Sequence, residues 1–301
     1  MAIVNTKNML IKALKGGYAV PAFNVYNMES IKAVVNACEL INKDAIISVS
    51  EGALQYAGAD TIVALFVAQT KKSKVKFALH LDHGKSFESC KKAIDAGFTS
   101  VMFDGSALPF EENIKQTQKV VEYAHSKGVT VEAELGKIIG VEDMVSSLTE
   151  HFTDPVEAKE FVKQTKVDSL AISIGTAHGI NKGSKNPKLR FDVIDEVHKS
   201  IPNTPLVAHG SSTVPKHLVN SINKFGGKIS KSQGINEKDI SALANTAISK
   251  INIDTDLRLA FTNGIRKHIS SLPENFDPRK YLTSGMEEIT KQALQIFELL
   301  K

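Results

Sequence analysis

A (β/α)8 barrel, the TIM-barrel form of the α/β class with additional C-terminal helices, is predicted by three observations. These are eight short apolar runs, helical spacing of apolar residues between them, and no composition break along 301 residues. The runs are YAVPAFN (18–24), AIISVS (45–50), KFALHL (76–81), SVMFD (100–104), TVEAEL (130–135), SLAISI (169–174), PLVAHG (205–210) and KINID (250–254). Rich in Val, Ile, Ala and Phe, they suit parallel strands covered on both faces. Helical patterns fall near 28–42, 59–72, 86–96, 110–127, 155–165, 190–200, 214–224 and 237–247. The fifth has a start signal in Asp154-Pro155-Val156-Glu157: a capping carboxylate, a proline at the first helical position and a glutamate able to reach back to the cap amide. Strands alternating with helices favour a closed barrel over an open sheet. With no Pro/Gly/Ser linker, residues 1–301 are expected to form one domain.

Two segments exceed the minimal barrel. Residues 136–153, GKIIGVEDMVSSLTEHFT, are long for a strand-to-helix loop and carry Gly136 and Gly140 as hinges, so a lid over the barrel mouth is expected. After the eighth strand, 255–270 and 280–301 read as two helices, one more than closure requires. The C-terminal helical arm over 280–301 has two readings, packing on a partner subunit or across its own barrel.

A hydrophobic content of 42% with 23% charged residues excludes a disordered chain or a disulfide-stapled miniprotein. The formal charge of +4 is too small and dispersed to argue for nucleic acid or an anionic membrane. Arginine occurs only at 190, 258, 266 and 279, and its rigid fork makes each a suspect for carboxylate or phosphate recognition. Cys38 and Cys90 lack CxxC spacing, which fits a reducing, cytoplasmic location. The opening MAIVNTKNMLIKALKGG has lysines within its apolar stretch, and no apolar run is long enough to span a bilayer.

Catalytic groups of such barrels gather at the C-terminal ends of strands. Strand three ends in His80-Leu81-Asp82-His83-Gly84, strand five in Glu132-Ala133-Glu134-Leu135-Gly136, strand six runs into Gly175-Thr176-Ala177-His178-Gly179, and strand seven ends in His209-Gly210-Ser211-Ser212. His83, His178 and His209 therefore converge on one mouth, where three imidazoles and an open position suit catalytic zinc. Asp82 reads as a general acid or base, or as a partner orienting a histidine; the two can share the site only where the strand gives way to its loop. Glu134 is a candidate extra ligand, and Glu132, on the same face, a support for a neighbouring ligand. No strand-end motif presents a buried lysine with an evident means of lowering its pKa, which argues against imine chemistry. Gly179 with Lys182-Gly183, Gly210-Ser211-Ser212 and Asn252-Ile253-Asp254-Thr255 place amides and hydroxyls after the last three strands, the frequent phosphate site of these barrels.

These segments resemble the class II fructose-bisphosphate aldolase family, which includes the tagatose-bisphosphate aldolases. The matching motifs are PAFNV (21–25), SEGA (50–53), HLDHG (80–84), AGFTSVMFDGS (96–106), VEAELG (131–136), IGTAHG (174–179), HGSS (209–212), KINIDTDLR (250–258) and FDPRKYL (276–282). The resemblance implies a metal-dependent lyase that reversibly cleaves a ketose bisphosphate into dihydroxyacetone phosphate and an aldehyde phosphate, as in glycolysis. It implies zinc on His83, His178 and His209, Glu134 as a ligand when the metal shifts, and Asp82 moving the C4 hydroxyl proton. Glu142 in the lid matches a glutamate of proton transfer at the dihydroxyacetone phosphate carbon. Asn24 and Ser50 would lie beside the reacting carbonyl, while Gly179, Lys182, Gly210, Ser212, Asn252 and Thr255 would hold the phosphate, with a monovalent cation nearby left open. Asp254 and Arg258 favour the fructose over the tagatose substrate. Arg279 resembles a residue reaching the distal phosphate from a neighbouring subunit, which implies a homodimer or larger homo-oligomer. A zinc hydrolase and a non-catalytic sugar-phosphate binder are the alternatives of other classes.

Overall fold

The structure, a computed structural model, describes residues 2–142, 145–147, 151–180 and 189–300, with side chains left out over 139–147. Its strands are β1 (Val20–Asn24), β2 (Ala45–Ser50), β3 (Phe77–Gly84), β4 (Ser100–Phe103), β5 (Thr130–Leu135), β6 (Ile139–Glu142), β7 (Val145–Ser147), β8 (Ser169–Ile172), β9 (Ala177–His178), β10 (Leu206–Ala208) and β11 (Ile248–Ile253). Eight close a barrel in the order β1-β11-β10-β8-β5-β4-β3-β2. Each corresponds to one of the eight apolar runs, and the neighbouring pairs are parallel. All eight predicted strands are therefore present.

The helices are α1 (Lys7–Gly16), α2 (Met28–Ile41), α3 (Glu51–Ala57), α4 (Ala59–Thr70), α5 (Phe87–Ala96), α6 (Phe110–Ser126), α7 (Pro155–Thr165), α8 (Phe191–Ser200), α9 (Lys216–Lys224), α10 (Glu237–Ala244), α11 (Thr255–Ser271) and α12 (Pro278–Leu299). At the start of α7 the Asp154 carboxylate accepts from the amides of Val156 and Glu157, satisfying two donors that the helix itself leaves unpaired. Phe66, Phe98 and Phe161 are fully buried in the main apolar cluster, each contributing about 1.5–3 kcal/mol by leaving water.

Two unanticipated helices position the barrel. The first, α1, turns Met9, Leu10 and Ala13 against Val20, Ala22, Ile46 and Ala78, closing the N-terminal end of the barrel. The second, α3, starts directly after β2, where the Ser50 hydroxyl accepts from the Ala53 amide as its cap. The expected irregular lid contains a hairpin: β6 pairs antiparallel with β7 and parallel with β9. The C-terminal arm, α12, packs within its own chain. Phe297 meets Phe23 of β1 edge-on at 5.5 Å, and Thr290 donates to the Ala33 carbonyl of α2. A Cβ at Gly264 of α11 would sit 2.3 Å from the Ser284 carbonyl of α12, so that crossing requires glycine.

Candidate metal centre

Alternation along a strand should turn Asp82 and His83 to opposite faces, and the end of β3 breaks that rule. Its pairing with β4 slips between Leu81 and Gly84, and His83 takes φ 51°, a left-handed conformation uncommon outside glycine. The strand thus gives way at the position the sequence required. Asp82 is buried and accepts from the Asn24 amide at 2.7 Å and the Asn252 amide at 2.9 Å. It is therefore held by asparagines, and the reading of Asp82 as a histidine orienter does not describe its hydrogen bonds. Burial would raise its carboxyl, but the positive charge at His83, His209 and Lys250 outweighs burial and holds it below the usual carboxylate range.

Two other carboxylates orient the imidazoles. His83 Nδ1 lies 2.9 Å from Asp104 Oδ2, and His209 Nε2 lies 2.8 Å from Glu132 Oε1. An ionised carboxylate only accepts, so each outer nitrogen carries a proton and each inner nitrogen is the one left to hold a cation, whether a proton or a metal ion. Those inner atoms, His209 Nδ1 and His83 Nε2, face each other at 2.9 Å. The Asn252 amide, a donor, stands 3.3 Å from the same His209 Nδ1, in keeping with that tautomer. The His178 ring lies 5.1 Å from that of His83, and one nitrogen from each of the three histidines falls within 4.8 Å of the others. Facing lone pairs repel, so a cation must stand between them. Without metal it is a proton on His83, whose ring burial lowers but the Asp82 and Asp104 charges raise to about 9, and in its place three convergent imidazoles suit a divalent metal.

An adjoining group, His83, Asp104 and Glu134, meets the same 4.8 Å limit. Glu134 Oε2 is buried without a hydrogen-bond partner among the described residues, and burial, followed by the Asp104 charge, pushes its carboxyl up to about 8. It stands beside His83, the residue the two groups share.

Beneath the mouth lies a buried strand lysine that the strand-end motifs do not include. Lys250 in β11 is fully buried, on the same inward face as Asn252, with its ammonium 2.8 and 3.0 Å from the two oxygens of Glu132. Its Nζ is engaged by Glu132 and the His80 ring inside the barrel and is not presented to a substrate carbonyl, so the argument against imine chemistry survives on different grounds.

The loops after the last barrel strands are built for close backbone approach. Gly179 has φ 82°, and Gly210, at φ 60°, would place a Cβ 2.7 Å from the Ala177 carbonyl. Ser211 donates to the His209 carbonyl, and the Ser212 hydroxyl accepts from the Asp254 amide. Thr255 opens the long helix α11, whose N-terminus favours an anion. Buried Asp256 clamps the loop before α9, accepting from the Thr213 amide and hydroxyl and from the Val214 amide at 2.7–2.9 Å. Arg258 donates to Asp254 at 2.7 Å, and its guanidinium lies 5.9 Å from the Tyr26 ring centre.

The sequence-predicted set is thus gathered in large part. Ser50 sits opposite Asp82 in the β2–β3 register. Arg279, 89% exposed and bridged to Asp277, lies outside the buried cluster. Lys182 falls outside the described residues, as does the side chain of Glu142 at the end of β6. Asp104, Glu132 in its paired form, Lys250, His80 and Asp256 were not singled out for the interactions they make. Period-two spacing carries the signal for Lys250 and His80, two residues before Asn252 and Asp82.

The model of the family described as fructose-bisphosphate aldolase class-II matches residues 4–301. The chain belongs to this family. A fructose-bisphosphate aldolase of Treponema pallidum (strain Nichols) is 44% identical, with 97% of this chain and 93% of that protein covered. That of Thermus caldophilus is 43% identical over 98% of each chain. Among solved structures, the YdjI aldolase from Escherichia coli K12 superposes with a TM-score of 0.80 at 29% identity, covering 99% of this chain and 97% of that one. Members of the class II fructose-bisphosphate aldolase family are metal-dependent aldehyde-lyases, which agrees with the barrel and the imidazole cluster built above.

Proposed function

We propose that the protein reversibly cleaves fructose 1,6-bisphosphate into dihydroxyacetone phosphate and glyceraldehyde 3-phosphate, with zinc on His83, His178 and His209. The observation carrying this reading is the 2.9 Å approach of His83 and His209 through nitrogens whose opposite edges are held by carboxylates. When bound, the divalent ion would polarise the ketose carbonyl and stabilise the negative charge released as the C3–C4 bond parts.

The chain's own groups divide the remaining work. Asp82, held ionised, takes the C4 hydroxyl proton in cleavage and returns it in condensation. Asn24 and Asn252 fix its carboxylate, and their buried Oδ1 atoms, without partners among the described residues, leave two acceptors for substrate hydroxyls. Ser50 lies beside them, Glu134 serves as an alternative ligand, and Glu142 moves the proton at the dihydroxyacetone phosphate carbon. The Gly179, Lys182, Gly210, Ser211, Ser212, Asn252 and Thr255 groups bind the phosphate. Asp254 and Arg258 select the fructose over the tagatose substrate, and Arg279 reaches the distal phosphate of a neighbouring subunit in a homodimer.

We read residues 1–301 as one domain in which 136–153 covers the mouth, working in the cytoplasm; no helix among the described residues is long and apolar enough to cross a membrane. Chelation followed by zinc add-back, with cleavage of fructose and tagatose bisphosphates measured in parallel, tests the proposal. Activity should vanish and return, with fructose bisphosphate preferred. Undiminished cleavage by metal-stripped protein would remove the metal from the reaction, and a tagatose preference would reverse the substrate assignment.

A further inference from the structure

A run of buried polar contacts passes down the inside of the barrel from the metal centre to its closed end. His209 Nε2 meets Glu132 Oε1 at 2.8 Å, and Lys250 Nζ bridges both Glu132 oxygens. Lys250 Nζ also lies 3.3 Å from His80 Nε2, His80 Nδ1 lies 2.8 Å from Ser100 Oγ, and Ser100 Oγ lies 3.3 Å from Thr6 Oγ1. Thr6 in turn meets Thr130 at 2.8 Å, immediately before the helix that plugs the barrel. Lys250 and His80 are fully shielded from solvent, and Glu132 is 1% exposed.

An ion pair so placed is not explained by stability. Withdrawing an ammonium and a carboxylate from water costs more than the pair usually returns, and apolar residues of equal volume commonly serve the fold as well or better. The neighbouring inward positions Ala22, Met102, Ala171 and Val207 show that this interior accepts apolar side chains. What apolar side chains cannot provide is an acceptor of fixed direction behind His209.

We propose that Lys250 is a positioning residue for the metal site, holding the Glu132 carboxylate at His209 Nε2 so that Nδ1 is the atom presented to the cation. The inference deepens the metal reading proposed above and rests on it. Lys250 donates to both carboxylate oxygens, which prevents the carboxylate from turning away. Glu132 then has only acceptors to offer His209, so Nε2 must carry the proton and the Nδ1 lone pair faces His83. On its other side the ammonium is tethered by His80, which accepts through Nε2 and donates through Nδ1 to Ser100. The direction of every bond in the run from His209 to Ser100 follows from the lysine having donors alone.

The test uses full-length protein freed of metal and titrated with cobalt(II), reading the dissociation constant by chelator competition and the coordination by visible absorption. Folding of each variant is checked by circular dichroism. Lys250→Met should weaken cobalt binding roughly 10–100-fold and alter the absorption bands. Lys250→Gln, which keeps one donor group, should fall between that variant and wild type. Adding Glu132→Gln to Lys250→Met places an amide oxygen behind His209 without a charge that needs a lysine, and should restore affinity to within about threefold of wild type by that same logic. Wild-type affinity and bands in a folded Lys250→Met protein would overturn the inference. If neither single variant folds, the double variant decides: cobalt binding near wild type supports the inference, and binding tenfold or more weaker overturns it. Should wild type itself fail to bind cobalt through its histidines, the metal reading fails; a wild type that binds alongside an indifferent Lys250→Met refutes the lysine's role alone.

Discussion

Asp256→Asn separates the loop clamp from the chemistry. The Asp256 side chain is fully buried, with Oδ2 accepting from the Thr213 amide and hydroxyl and Oδ1 accepting from the Val214 amide. In the asparagine variant one terminal atom becomes a donor, so whichever way the amide turns, at least one N–H of the loop faces another N–H. Losing one charge-assisted bond of about 1.5–3 kcal/mol and stranding a buried donor at about 1–3 kcal/mol sums to about 2.5–6 kcal/mol. Unfolding entropy for a chain of 301 residues is about 0.6 kcal/mol per degree, so the calorimetric midpoint should fall by about 4–10 °C. The loop carries Ser211 and Ser212 to the proposed phosphate site, so a displacement near 1 Å should lower kcat/KM for fructose bisphosphate by up to roughly 100-fold, mostly through KM. Thr213→Val removes only the hydroxyl donor and should cost about 1.5–3 kcal/mol. Unchanged melting would refute the clamp; a lower midpoint with unchanged KM would refute the loop's role in holding phosphate.

Other perturbations address single groups. Asp82→Ala should keep its metal while turnover drops roughly 10²–10⁴-fold, whereas His209→Ala should lose the metal as well; metal analysis beside kinetics distinguishes them, and full turnover in the first variant would remove Asp82 from proton transfer. Arg258→Ala should reduce kcat/KM for fructose bisphosphate about 10–100-fold, the worth of one charge-assisted contact, and narrow its margin over tagatose bisphosphate. An unchanged ratio of the two substrates would assign discrimination elsewhere. Cys38 and Cys90 are fully buried, and burial raises both thiols, so native protein should resist a disulfide reagent that labels both residues in denaturant; rapid native labelling would contradict the packing.

The barrel strands were legible because parallel strands covered on both faces leave near-continuous apolar runs, and all eight runs are strands. Elements whose signal is short or mixed were not. The plug helix α1, KNMLIKALKG, intersperses lysines with apolar residues, and its sequence does not announce that Met9, Leu10 and Ala13 face a barrel end. Helix α3 begins with no intervening loop, and the hairpin strands β6 and β7 span only four and three residues, too short for alternation to register. The candidate ligands stood out because three histidines follow separate strands. Asp104 did not, since an aspartate before glycine is also an ordinary turn residue, and a lysine opening the run KINID reads as its solvated flank until the barrel encloses it.

Backbone strain shows why buried carboxylates accompany the site. Among the described residues, four non-glycine residues have positive φ: Asn42 and Lys166, which end helices, and His83 and Val214, which follow barrel strands at the site. A left-handed conformation costs about 1–2 kcal/mol for an ordinary L-residue, and β-branched Val214 is poorly suited to it. Each of these two is held by a carboxylate. Asp104 meets the His83 ring at 2.9 Å, and Asp256 receives the Val214 amide at 2.7 Å. One charge-assisted bond, worth about 1.5–3 kcal/mol, can offset the strain of the residue it holds. With the clamps in place the strained forms win: His83 shares a site with its chain neighbour Asp82, and the loop ahead of Val214 brings Ser212 to the Asp254 amide. Without them the balance reverses, because an extended backbone at either position recovers the local strain while moving a candidate ligand, or the loop proposed to bind phosphate, away.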